Sequence, residues 1–120
     1  MARFIPKPTI IKAAGNMPKE IAEYVGNVNT DSSDISIAKM TSPEGWVEPG
    51  QTPGFTEYTI VLKGLLRAEC HDRAYDIRAG EAIRIGPDEW VRYSSPHPGG
   101  AEYIAVCLPA FSPDTVRRDE

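Results

Sequence analysis

Two cysteines and two histidines are all that this 120-residue chain offers in the way of thiolate and imidazole metal ligands. Cys70 and Cys107 have no neighbouring cysteine at metal-site spacing, which excludes a zinc ribbon or finger. Two cysteines also cannot make the disulfide framework of a small secreted domain, so they are expected as small buried apolar side chains. No apolar run approaches the ~20 residues that span a bilayer, and no basic-then-apolar leader opens the chain. An excess of positive charge is missing as well. The net charge is −4 and no Lys/Arg stripe is present, which argues against nucleic acid as a partner. These absences lead to the expectation of a cytoplasmic protein with neither membrane nor nucleic-acid partners. What the chain does have is turn formers, with 11 prolines and 10 glycines. Its 41% apolar and 25% charged residues fit one ordinary globular domain.

Pro6 and Pro8 lie in a weakly alternating N-terminal stretch, as expected of an arm along a sheet edge. Asn16, able to cap, and Pro18 in a first turn predict a short helix, with Met17, Ile21, Tyr24 and Val25 on one face. Residues 26–34 are a polar loop. From there the pattern is strand after strand. Ile35–Met40 alternates, Glu57–Lys63 is β-branched and apolar, and Leu66, Ala68 and Cys70 alternate. Tyr75–Ile77, Ala82–Ile85, Trp90–Ser94 and Tyr103–Leu108 follow, each bounded by Gly, Pro or Asp. Short strands punctuated at this spacing predict an all-β sandwich or barrel. The chain then divides into an arm and helix over 1–34, packed on a barrel over 35–120 with its C-terminal tail, one domain overall.

Gly45, Gln51, Pro53, Glu57 and Gly64 stand at the spacing G-x5-Q-x-P-x3-E-x6-G, and Gly80, Pro87 and Arg92 form a second block. Together they resemble the two motifs of the cupin superfamily, G-x5-H-x-H-x3,4-E-x6-G and G-x5-P-x-G-x2-H-x3-N. The resemblance covers about residues 35–108. It implies a double-stranded β-helix, or jelly-roll, barrel. Gly80 to Pro87 is one residue longer than the pattern, and Pro96 replaces its Asn. The run E-Y-x-I-V-L-x-G followed by A-G-E-x-I-x-I-G-P is similar to the ethanolamine-utilisation cupins. That likeness implies a cytoplasmic homodimer with a degenerate metal site.

In metal-binding cupins the motif histidines and glutamate hold one divalent ion inside the barrel. Position by position, Gln51 and Pro53 replace the paired histidines, Glu57 keeps the glutamate, and Arg92 replaces the last histidine. Proline has no donor and a guanidinium stays protonated, so the expected cofactor and metal are none. His71, near a hairpin tip, and His97, in a Pro/Gly loop, are expected to be solvated. The register implies that Glu57 and Arg92 face each other in the barrel, the Arg standing in for the ion. Three functions follow from that arrangement. One is a metal-independent cupin binding a small, anionic molecule through Gln51, Glu57, Trp90 and Arg92. Another is an acid–base isomerase, epimerase or lyase with Glu57 and Arg92 catalytic. The third is a non-catalytic dimerisation module, in which the pair only satisfies itself. Trp46, Phe55, Tyr93 and Tyr103 are further candidate walls, with core packing the commoner role for each.

Overall fold

A single long strand organises the architecture. In the computed structural model, which describes residues 1–119, nine strands follow one another and none of the described residues is helical. They are β1 (Thr9–Lys12), β2 (Glu20–Val25), β3 (Ser36–Ser42), β4 (Trp46–Val47), β5 (Thr56–Cys70), β6 (Ala74–Arg78), β7 (Ala82–Ile85), β8 (Val91–Ser95) and β9 (Ala101–Leu108). All pairings are antiparallel. The first half of β5 pairs β9 and β7, and its second half pairs β6 and β8. One wall of the barrel therefore runs β1-β2-β3-β9-β5-β7, and the other is formed by β6, β5, β8 and β4.

The bend that lets β5 serve both walls lies near Gly64. The β5–β9 register shifts between Val61 and Lys63, and Gly64 adopts φ +74°. A side chain there would run into the Gly100 carbonyl oxygen, so only glycine fits both the dihedral and the close approach.

Alternation sets the faces. Glu57, Thr59 and Val61 of β5 point inward, and Tyr58, Ile60 and Leu62 point out. The main core joins Trp46, Val61, Leu66, Val91, Tyr93 and Tyr103. A smaller cluster at one end joins Phe55, Cys107 and Val116, with Phe111 packed against it. It ties the C-terminal tail to the barrel. Backbone hydrogen bonds from Thr52 to Arg117, Gly54 to Thr115 and Asp119 to Gly50 reinforce that tie.

The N-terminal arm reaches the sheet edge as β1. The expected helix, however, is a strand. Residues 20–25 pair with β1 on one side and β3 on the other. A helix of under ten residues is marginal by itself, whereas two open strand edges satisfy the backbone of this segment on both sides. Its helical spacing of apolar residues is outweighed by that pairing.

Candidate functional site

The inner faces of β3, β5 and β9 and the residues leading into β2 and β5 surround a cavity of about 80 Å³. Glu57 lies on its wall, 8% exposed. Tyr93 Oη donates a hydrogen bond of 2.7 Å to Glu57 Oε1, and Cys107 Sγ lies 3.6 Å from Oε2. Burial raises the Glu57 carboxyl above its usual range, against the opposing pull of the Tyr93 hydroxyl and the Lys19 charge. Burial and the Glu57 carboxylate push the Tyr93 hydroxyl well up, and burial does the same to the Cys107 thiol.

A second acid stands beside the first. Glu48, also 8% exposed, follows β4, and its backbone N–H donates to the Tyr93 carbonyl oxygen. Burial raises its carboxyl from 4.5 to about 7. Glu57 adds to the rise, while Lys19 and Arg118 oppose it. Lys19 enters from the segment before β2. Its Nζ donates to Tyr103 Oη at 3.0 Å and sits 3.9 Å above the Trp46 ring, and Tyr103 Oη is also 2.8 Å from Ser42 Oγ. Among the described residues no carboxylate forms an ion pair with this ammonium. The segment carrying Lys19 is pinned over the barrel mouth. Trp46 Nε1 donates to the Ala14 carbonyl, and Asn16 exchanges hydrogen bonds with Gly45 and Val47.

Arg92 is elsewhere. It projects from the outer face of β8, opposite Glu69 of β5, and its Nη2 donates to Glu69 Oε2 at 2.8 Å. The two side chains of this pair are 43% and 35% exposed. The expected Glu57–Arg92 pair is therefore corrected: Glu57 faces Tyr93, and Arg92 is no part of the cavity wall. The position was counted five residues on from Pro87, whereas β8 turns Val91 and Tyr93 inward; a slip of one residue moves a strand position to the other face. Trp90 is also displaced from its expected place. Its ring stacks on His71 at 5.1 Å and its Nε1 donates to Asp119 Oδ2, outside the cavity. Gln51 does line the cavity, buried where its backbone bridges Val91 and Arg118. Phe55, Tyr93 and Tyr103 also line it, whereas Trp46 is fully buried core beneath Lys19.

The topology of two walls sharing one bent strand has many solved counterparts. A predicted oxalate decarboxylase from Thermotoga maritima superposes with a TM-score of 0.74 at 18% identity, over 91% of this chain and 99% of that one. The polyketide cyclase RemF from Streptomyces resistomycificus gives 0.74 at 19% identity, over 100% of this chain and 86% of that one. A putative ethanolamine utilization protein Q from Salmonella typhimurium gives 0.67 at 15% identity, over 88% and 98%. The chain has the cupin fold. No family model matches it. A curated relative, an endoribonuclease YbeY from Myxococcus xanthus, is 40% identical over 96 residues, 80% of this chain. The chain spans only 33% of that relative's length.

A cupin barrel raises the question of a metal ion. At the motif positions this chain presents Gln51, Pro53 and Glu57, and β8 turns Tyr93 rather than a histidine inward. That set holds one carboxyl, itself biased toward the protonated form. Among the described residues no three of His, Cys, Asp and Glu converge as a metal cluster. The donors present do not fit a divalent ion. Lys19, Glu48, Tyr103 and Arg118 were not singled out as site residues by sequence reasoning, or only as a wall in the case of Tyr103. They come from the arm, from a loop and from the tail, outside the motif frame. For Tyr93 the signal was present, since Val91 and Tyr93 share the apolar parity of β8.

Proposed function

We propose that this cupin binds a small anionic molecule inside the barrel without a metal ion. The observation that carries the reading is the free Lys19 ammonium at the mouth of a cavity whose two acids, Glu48 and Glu57, are biased by burial toward their neutral forms. A cation with no carboxylate in ion-pair contact, in partly desolvated surroundings, favours an incoming anion. Arg118 adds a second positive charge at the wall, and Gln51 supplies one donor and one acceptor. With two carboxyls at its centre and a net charge of −4, the barrel does not favour RNA, and the nuclease name of the Myxococcus relative is not carried over. Native mass spectrometry of protein purified from its own host tests the reading. An acidic adduct of small mass is expected, lost in Lys19→Met. A bare polypeptide mass, or a stoichiometric divalent metal, overturns it.

Glu48 favours a second reading, an acid–base enzyme. A carboxyl with a pKa near 7 exchanges its proton at working pH, and Tyr93 and Glu57 stand beside it. In such an enzyme Glu48→Gln or Glu57→Gln abolishes turnover of the co-purified molecule while sparing its binding.

The outward residues Tyr58, Ile60, Leu62 and Leu108 leave an apolar stripe exposed on the outer face of β5 and β9. A second copy of the chain is the proposed occupant, and sedimentation of Ile60→Lys against the native protein tests the homodimer. Both cysteines are free, which agrees with a reducing, cytoplasmic setting.

A further inference from the structure

The cavity has two unlike ends. On β9 the inward residues are Tyr103, Ala105 and Cys107, with Ala105 directly opposite Ala38 of β3 and Thr59 of β5. Tyr103 marks the polar end, where its hydroxyl takes a hydrogen bond from Lys19. Cys107 marks the other end, where Phe55 packs beside it and meets the Phe111 ring edge-on at 6.0 Å. Tyr103 and Cys107 are four residues apart, about 13 Å along the strand. Between them the floor is made of paired methyl groups where larger side chains would fill the barrel.

We infer that the ligand is an apolar molecule with a single acidic group, one ring or a short chain in length, its acid at Lys19 and its body over Ala38 and Ala105 against Phe55. This rests on the anion-binding reading above and names its ligand class. Ala38 and Ala105 offer no side-chain hydrogen-bond partner and Thr59 opposite them only one hydroxyl, so a hydroxyl-rich body seated there would leave polar groups unpaired. The other cation on the wall, Arg118, stands over the Phe111 ring at 5.8 Å, at the far end from Tyr103, so Lys19 is the cation at the polar end. The acid of Glu23 is already spent, because its Oε2 accepts hydrogen bonds from the Val28 and Asn29 amides.

The test uses the full chain, labelled with nitrogen-15, titrated with benzoate, its neutral isostere benzamide, and inorganic phosphate. The indole N–H of Trp46, whose ring lies under Lys19, reports the cavity, and that of Trp90, held by Asp119 outside it, serves as the control. Benzoate is expected to shift Trp46 alone and to bind about tenfold or more tighter than benzamide. Lys19→Met is expected to bring benzoate down to the benzamide level. Ala105→Leu, which fills the floor, is expected to exclude both. Benzoate binding unchanged in either variant overturns the inference. Phosphate binding in the absence of benzoate binding overturns it while leaving the anion-binding reading intact. No response to either anion overturns both.

Discussion

Replacing Glu48 with glutamine removes the most informative titration in the molecule. The carboxyl is buried, and burial raises it from 4.5 to about 7. Between those two pH values the folded protein keeps a proton that the unfolded chain has released. Its contribution to stability is thus fully present below about pH 4.5 and is lost as pH rises through about 7. The gap corresponds to about 3 kcal/mol, at about 1.4 kcal/mol per tenfold step in the proton equilibrium. Glutamine keeps the shape and has no proton to lose. Urea unfolding followed by tryptophan fluorescence, from about pH 5 to about pH 8, is the assay. Wild-type stability is expected to fall relative to Glu48→Gln across that range, by up to about 3 kcal/mol. Glu57 remains in both proteins, so the difference isolates position 48 and its coupling. Parallel pH profiles would refute the reasoning. So would a variant that loses ground as pH rises, which would mean that Glu48 is ionised and held by Lys19 and Arg118.

Gly64→Ala is expected to cost about 2 kcal/mol or more, because a positive φ and the nearby Gly100 carbonyl oxygen both oppose a side chain; urea unfolding measures it. Arg92→Ala removes a half-exposed ion pair and should cost at most about 1 kcal/mol. It should also leave benzoate binding unchanged, and a lost ligand would return Arg92 to the barrel centre. Phe55→Ala empties the cluster that anchors the tail and should cost about 3–5 kcal/mol. Hydrogen exchange should then quicken first at Val116 and Arg117.

The frame of the barrel was legible because glycines and strand punctuation carry it. Gly64 marks the bend within β5 and Gly80 a turn, both at positive φ, and the alternation of Glu57, Thr59 and Val61 survives folding unchanged. Glu57 was legible for the same reason, since it lies one strand length from the glycine that ends its motif. Arg92 was misread because motif spacing counted from Pro87 was preferred to strand parity, although the apolar parity of Val91 and Tyr93 already pointed the arginine outward. Lys19 and Arg118 could not be placed from local pattern. Each reaches the cavity through long-range contacts, one via the pinning of the arm by Trp46 and the other via the seating of the tail on Phe55. The strand at residues 20–25 was hidden for a similar reason. Its identity comes from neighbours far along the chain, which local spacing does not record.

Because the bent strand β5 belongs to both walls, the protein has no half that can come undone while the other stands. Peeling its first half from β9 opens the floor under the cavity, and peeling its second half from β8 frees Tyr93 from the acid it caps. Loss of either half therefore disturbs the barrel as a whole, and local opening is expected first at the arm and the tail, which lie outside the shared strand.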